Sequence, residues 1–284
     1  MPSFDLHFTT AVFYALTALS VWVPYAANAA NNAGTISPGS ADRNIGGMVL
    51  IRAALAVALV AHGAALGNAL FGGDGINIGF SHAISLIVWL VMGAYFLIGF
   101  DNQLLRIVAR YLAPVAMAAA LLPGLLPAQR IVHYAGFAFK LHFVVAILAY
   151  ALFTVATLHA LLMLALEKRL HEGNLPVAWQ GLPPLLRIEK LLFQLLGVAF
   201  LMLTATLVSG VFFSEALFDK AFQFTHKTVF AFFSWLIFGG LLLGHWRLGW
   251  RGKMAVRWTL IGFVLLLLSY VGSKFVLEII LKRV

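Results

Sequence analysis

Apolar residues in this chain occur in long unbroken stretches separated by short polar segments. Stretches of about 18 or more apolar residues are typical of membrane-spanning helices, and FVVAILAYALFTVATLHALLMLAL, which begins at Phe143, is one of them. A transmembrane β-strand would instead alternate apolar and polar residues over about ten positions. The pattern therefore predicts an all-α fold, a polytopic membrane helical bundle of about eight transmembrane helices. The predicted spans cover residues 8–26, 47–69, 82–100, 108–126, 139–165, 191–213, 225–245 and 258–280.

The composition agrees with this class of protein. Hydrophobic residues make up 62% of the 284 positions and charged residues 10%, whereas a soluble domain is about a quarter charged. We expect a single integral membrane domain over residues 1–284, with four N-terminal spans in 1–126 and a core in 139–282. The excess of 19 Lys and Arg over 10 Asp and Glu does not indicate nucleic-acid binding, because no soluble domain is available to carry a basic face.

Lysine and arginine are distributed unequally between the two sides of the predicted bundle. Of the 19, twelve follow the odd-numbered spans: Arg43, Arg52, Arg106, Arg110, Lys168, Arg169, Arg187, Lys190, Arg247, Arg251, Lys253 and Arg257. Positive residues mark cytoplasmic loops, so we expect a multi-pass protein of the bacterial inner membrane with both termini in the periplasm. The fourth span is expected to be broken by Pro114, Pro123 and Pro127.

Histidines are the informative ionisable residues within the predicted spans. No carboxylate lies near the middle of a predicted span, which argues against a proton-coupled transporter of small solutes. At about 1.5 Å of rise per residue, four histidines lie within roughly two turns of the outer face: His62, His82, His142 and His226. A neutral imidazole is tolerated in the membrane and can bind haem iron. His82 is expected to serve packing, and His245 lies toward the opposite, inner face.

The last third of the chain resembles a known family. The seventh span contains Trp235 and ends in His245, the run Gly249-Trp250-Arg251-Gly252 follows, and the last span contains Gly272-Ser273. These features resemble CcsA/YpjD-type cytochrome c assembly proteins, a family of haem-handling integral membrane proteins. The resemblance extends to the segment around Pro183, Pro184 and Glu189. His142 resembles the histidine that opens the core of that family, and AHGAALGN resembles its N-terminal histidine position, which is His62 here.

The resemblance implies about eight spans and a haem site near the outer surface. At one place, however, this chain differs from the family. Where haem-handling relatives carry a tryptophan-rich outer segment, this chain has ALFDKAFQFTHKTVFAF, which contains His226 and no tryptophan. A second outer histidine after that segment is also missing.

From these features we predict a haem-binding inner-membrane protein that acts in cytochrome c assembly and is not an enzyme. His142 is the expected axial ligand, with His62 or His226 opposite it, and His245 is a second-site ligand or a structural residue. The chain has no cysteine, so the expected cofactor is non-covalent haem b, retained or relayed at the outer face. Other cytochrome c maturation proteins or an apocytochrome are the partners that the resemblance implies, within a lipid bilayer. The alternative is a cofactor-free structural or regulatory membrane subunit with the same fold.

Overall fold

The computed structural model describes residues 2–31, 40–71, 76–77, 79–98, 102–126, 131–132, 136–173, 179, 182–218 and 226–276. Within these ranges eight long helices follow one another: α1 (Pro2–Asn31), α2 (Ser40–Phe71), α3 (Phe80–Ile98), α4 (Asn102–Leu125), α5 (Phe137–His171), α6 (Leu185–Phe218), α7 (His226–Leu248) and α8 (Gly252–Leu267). A π-helical segment, Leu268–Gly272, and one helical turn, Ser273–Phe275, prolong α8. Two residue pairs have strand conformation, Ile76–Asn77 and Ile131–Val132. The predicted all-α membrane bundle is confirmed.

Six of the helices are long and apolar enough to cross a membrane, judged over the described residues. These stretches are Val49–Leu70, Phe80–Leu97, Phe137–His171, Leu185–Phe212, His226–Leu248 and Gly252–Gly272. In α4 the apolar part is the shorter segment Ala109–Leu125. Large apolar side chains remain exposed along these helices, as Val60 and Leu201 illustrate. Such surfaces suit a lipid environment rather than water.

The chain divides into two compact units, residues 1–128 and 129–284. The single integral membrane domain expected from the sequence stays a prediction. In the first unit α1 packs against α2 and α4, and α3 packs against α2 and α4. Tyr14, Leu55, Met92 and Leu105 are fully buried in its core.

Helix α4 is continuous through Pro114 and Pro123, so the predicted break at these two residues is wrong; Pro127 lies outside the described residues. Proline has no N–H, and it leaves the carbonyl four residues earlier without its helical donor. Here Trp22 of α1 donates its Nε1–H to the Arg110 carbonyl, four residues before Pro114, at 3.1 Å. The indole replaces the missing donor, which is how membrane helices accommodate proline.

Two further contacts of α1 support α4. The Arg110 guanidinium lies 4.3 Å from the centre of the Trp22 ring, a cation–π contact. Near Pro123, the imidazole of His7 is hydrogen-bonded to the backbone of Ala120. Side chains of α1 thus contact α4 close to both of its prolines, and at Pro114 the contact supplies the missing donor.

In the second unit, α5 packs against α6 and α8, while α7 packs against α6 and α8. The rings of Phe153 on α5 and Phe238 on α7 stack with centroids 4.0 Å apart. A Cβ added to Gly262 of α8 would lie 2.8 Å from Phe238 Cζ, so glycine is required for this close approach. Ser234 of α7 donates to the Gly262 carbonyl at 2.9 Å, which joins α7 to α8 at the same level.

Trp22→Phe is predicted to destabilise the protein by about 1 kcal/mol, because it keeps an aromatic ring but leaves the Arg110 carbonyl without a donor. In a Pro114→Ala background the same change should cost almost nothing, since the N–H of residue 114 then fills that role. Thermal unfolding in detergent of the four proteins of this cycle measures the difference. An equal loss in both backgrounds would contradict the assignment.

Candidate haem-binding histidines

His142 is half-buried near the N-terminal end of α5 and is held by a chain of hydrogen bonds to α6. Its Nδ1 lies 2.7 Å from the Ser209 hydroxyl, and Ser209 donates its own hydrogen to the Thr206 carbonyl at 3.1 Å. A hydroxyl has one hydrogen to give, so when Ser209 donates to Thr206 it accepts the bond from His142 Nδ1–H. This tautomer puts the lone pair of the imidazole on Nε2, a nitrogen through which histidine binds metals.

The ring of His142 also lies against a glycine of α6. A Cβ added to Gly210 would lie 3.5 Å from His142 Cε1, an ordinary van der Waals distance. Ser209 and Gly210 therefore fix both the rotation and the position of the ring. Sequence reasoning selected His142 but did not find Ser209.

His142 and His226 lie at similar depth in the second unit. They precede Phe153 and Phe238, whose rings stack, by eleven and twelve residues, which corresponds to about 17 and 18 Å of helix. Their directions differ. At about 100° per residue, two residues eleven positions apart point in directions within about 20° of each other around the helix axis. Two residues twelve positions apart point in directions about 120° apart. His142 thus shares the face of Phe153, while His226, exposed at the start of α7, is turned away from the face of Phe238.

The first residues of α7 are fixed by α8. Ser269, in the π-helical segment, donates to the Lys227 carbonyl at 2.7 Å, next to His226. Tyr150 of α5 donates to the Leu266 carbonyl at 2.7 Å, just before the same segment. The π-helical segment therefore anchors the first turn of α7 through Ser269, and the adjoining turn of α8 accepts a hydrogen bond from Tyr150 in α5.

His62 lies in the first unit and is completely buried. Its Nδ1 is 3.1 Å from the Tyr14 hydroxyl and its Nε2 is 2.9 Å from the Ser85 hydroxyl. Both nitrogens are engaged, so binding of iron to either would require one of these hydrogen bonds to break. The contacts join α1, α2 and α3 through one imidazole.

His7 was not singled out from the sequence, although it is 2% exposed. Its Nδ1 has no hydrogen-bond partner among the described residues. Its position just before the predicted first span gave no signal of burial. The one clue to its burial in the sequence is Pro123. This proline disturbs the helical hydrogen bonds of α4 close to Ala120, whose backbone His7 contacts.

His245 belongs to a tight turn at the other end of the second unit. Its Nδ1 donates to the Trp250 carbonyl at 2.9 Å, and its ring stacks on Phe193 with centroids 3.4 Å apart. Trp250 N–H donates to the Gly244 carbonyl at 3.2 Å. The family-like run beginning at Gly249 thus builds the connection from α7 to α8.

Glycine and a carboxylate complete this turn. Gly249 and Gly252 have φ angles of 68° and 57°, which disfavour other residues. Glu189 of α6 accepts the Gly252 N–H at 2.9 Å, which places a negative charge at the N-terminus of α8. His245 and Glu189 therefore have structural contacts in the turn.

The described residues form no group of three or more His, Asp or Glu side chains able to hold a metal ion. A haem iron needs only one or two axial imidazoles from the protein. Two of the predicted ligands, His142 and His226, lie at the same end of the second unit.

These features define a polytopic helical membrane protein with histidines fixed at the helix ends. Residues 50–281 match the family described as Cytochrome C assembly protein. The chain belongs to this family, which confirms the resemblance seen in the sequence. The family description names assembly rather than a catalysed reaction.

Individual relatives agree with this assignment. The chain is 29% identical to the inner membrane protein YpjD of Escherichia coli K12 over 252 residues, which cover 86% of this chain and 93% of YpjD. An uncharacterized 28.8 kDa protein of Azospirillum brasilense is 36% identical over 143 residues, 50% of this chain and 52% of that protein. The cytochrome c biogenesis protein CcsA of Prochlorococcus marinus is 30% identical over 88 residues, 31% of this chain and 28% of CcsA. No solved structure matches the chain.

Gly244→Ala is predicted to destabilise the turn by about 1–3 kcal/mol, because the added Cβ would lie 2.5 Å from Trp250 Cδ2. Gly240→Ala, on the same helix and with nothing within 4 Å of the added Cβ, is the matched control and should be neutral or slightly stabilising. Thermal unfolding and tryptophan fluorescence would measure both. Equal melting temperatures for the two variants would rule out this packing role.

Proposed function

We propose that this member of the cytochrome c assembly family binds haem b non-covalently through His142, near the outer face of the membrane. The protein retains or relays that haem during cytochrome c assembly. The observation that carries the proposal is the hydrogen-bond chain from His142 through Ser209 to the Thr206 carbonyl. Haem-binding histidines commonly have the second ring nitrogen held by a neighbour in this way.

The chain's own residues have defined roles in this proposal. Ser209 keeps the proton of His142 on Nδ1 and fixes the ring plane, and His142 offers Nε2 to the iron. Haem supplies the iron and the apolar porphyrin. Covalent attachment through thioethers to this chain is excluded because it has no cysteine.

The second axial position belongs to His226 or His62 in this proposal. His226 is supported by its depth, which matches that of His142, and its exposed side chain must swing toward the face that His142 occupies. His62 must first give up its bond to Tyr14 or Ser85. Both proposed pairs are distinguishable by mutation of one histidine at a time.

The cellular setting follows from the same proposal. The relative YpjD is named an inner membrane protein, and the relative CcsA is named a cytochrome c biogenesis protein. We place this chain in the bacterial inner membrane with both termini in the periplasm. Other maturation proteins or an apocytochrome are its proposed partners.

A cofactor-free membrane subunit is the second candidate function. One observation favours it: both nitrogens of His62 and the Nδ1 of His245 already have partners within the protein. These two histidines therefore have structural roles that need no cofactor. This candidate predicts the opposite result in the haem-binding experiment that follows.

The full-length protein, purified in detergent and supplemented with haem b, is predicted to show a Soret band that His142→Ala abolishes or strongly reduces. His171→Ala, at the exposed end of the same helix, is the matched control and should leave the band unchanged. The measurement is an optical titration with haem. Absence of a band in the unmodified protein, or an unchanged band in His142→Ala, would support the cofactor-free alternative.

Ser209→Ala is predicted to weaken haem binding by about tenfold to a hundredfold, because it removes the hydrogen bond that orients the ligand. The Soret band should persist at saturating haem, since His142 remains. Ser209→Thr keeps a hydroxyl and should retain most of the affinity. If Ser209→Ala binds haem as tightly as the unmodified protein, Ser209 has no orienting role.

A further inference from the structure

The inner end of the second unit gathers parts of four helices. It contains the end of α5, the beginning of α6, the end of α7 and the beginning of α8. Lys253 of α8 lies 3.6 Å from the Glu167 carboxylate of α5, and the contacts from Glu189 to Gly252 and from Phe193 to His245 join α6 to the turn. We call this region the basic end.

Each carboxylate described at the basic end already has a partner within the protein. Glu167 is paired with Lys253, and Glu172 is paired with Lys168 at 3.9 Å. Glu189 accepts the backbone N–H of Gly252. Two of the three carboxylates are therefore already neutralised by lysines, and the third, Glu189, is buried against the turn.

Six exposed cations at the basic end form no ion pair within 4.0 Å among the described residues. They are Arg169, Arg187, Lys190, Arg247, Arg251 and Arg257. Five of the six are arginines, whose planar guanidinium groups bind phosphate oxygens in pairs. The surface thus has the charge and the hydrogen-bond donors that suit a phosphate ligand.

Exposed apolar side chains stand beside these cations. Trp246 is 75% exposed and Leu248 is 70% exposed. The Arg247 guanidinium lies 4.7 Å from the centre of the Trp246 ring. Tryptophan next to arginine is typical of the membrane–water boundary, where the ring sits at headgroup level and the cation reaches phosphate.

We propose that the basic end binds the headgroups of anionic phospholipids. The partner is a lipid rather than an acidic soluble protein, because Trp246 and Leu248 require an apolar layer directly beside the cations. The distribution of lysine and arginine along the chain assigns this end to the cytoplasmic leaflet, whose surface potential is negative. The proposal is independent of haem binding.

The turn between α7 and α8 makes this surface rigid. Trp250, fixed by its bonds to Gly244 and His245, holds the short connection in one conformation. Arg247 and Arg251 therefore leave this turn from a fixed backbone, which lowers the entropy lost when they bind a phosphate. A flexible linker of the same charge would attract anionic lipid without selecting a position.

The experiment uses the full-length protein in mixed micelles that contain equal amounts of phosphatidylglycerol and phosphatidylcholine. Native mass spectrometry counts the molecules of each lipid that remain bound. The unmodified protein is expected to retain phosphatidylglycerol preferentially. The triple variant Arg247→Gln, Arg251→Gln, Arg257→Gln should lose at least about tenfold in this preference, given the attraction of each surface cation to anionic lipid.

Two variants control for charge and for position. Replacing the same three arginines by lysine keeps the charge and should keep most of the preference. Lys140→Gln removes an exposed cation from the opposite end of α5 and should change nothing. All of these positions are exposed, so the variants are expected to fold.

Three outcomes would overturn the proposal. The first is equal retention of the two lipids by the unmodified protein. The second is a glutamine triple variant that keeps the preference for phosphatidylglycerol, or a Lys140→Gln variant that loses as much of this preference as the triple variant does. The third is displacement of phosphatidylglycerol by excess inorganic phosphate, which would identify a site for a free anion instead of a lipid surface.

Discussion

A backbone carbonyl inside a membrane must receive a hydrogen bond from the protein, because no water is present to supply one. This constraint accounts for the contact at Pro114, and the matching need of buried hydroxyl groups for an acceptor accounts for contacts in the second unit. Each proline of α4 disturbs the helical bonding of a carbonyl, and a side chain of α1 bonds close to each. In the second unit hydroxyl groups bond to carbonyls of neighbouring helices, and these are the contacts from Tyr150 to Leu266, Ser234 to Gly262 and Ser269 to Lys227. Packing of apolar side chains determines which helices are adjacent. These hydrogen bonds fix the position of each helix along its neighbour.

The same constraint distinguishes the histidines from one another. A buried imidazole has one donor and one acceptor, and each requires a partner or a ligand. His62 satisfies both with Tyr14 and Ser85, which makes it a cross-link between helices. The Nδ1 of His245 is bonded to a backbone carbonyl within a turn. His142 has its Nδ1 bonded to the Ser209 hydroxyl of α6 and, unlike His245, lies at the end of the second unit that also holds His226. The haem proposal depends on that difference and not on the number of histidines in the chain.

Much of the fold could be predicted from apolar run length, and part of the candidate site from helix rise. The predicted span 82–100 compares with the helix Phe80–Ile98, and the span 139–165 lies within Phe137–His171. The depth of a residue along a helix follows from its sequence position and the rise per residue, so His142 and His226 could be predicted to lie near one level. Partners could not be predicted, since Ser209 is 67 positions from His142 and no sequence period connects them. The predicted break at Pro114 was wrong for the same reason: Trp22, which supplies the missing donor, is 88 positions from the Arg110 carbonyl that it bonds.

The two ends of the second unit differ in charge, and this difference follows from what each end can contact. At the end that holds His142, a side-chain hydrogen bond joins Ser209 to the imidazole, and this is where the haem proposal places the porphyrin. At the basic end two carboxylates are paired with lysines, and six exposed cations form no ion pair among the described residues. Desolvating such cations is costly unless an anion meets them. In the lipid proposal, the headgroup layer supplies phosphate at the depth where Trp246 has apolar surroundings. The cations then stay solvated and paired with phosphate while α7 and α8 remain in the bilayer. The proposed haem binding at one end and the proposed lipid binding at the other use separate groups of residues, and the two are therefore compatible within one helix bundle.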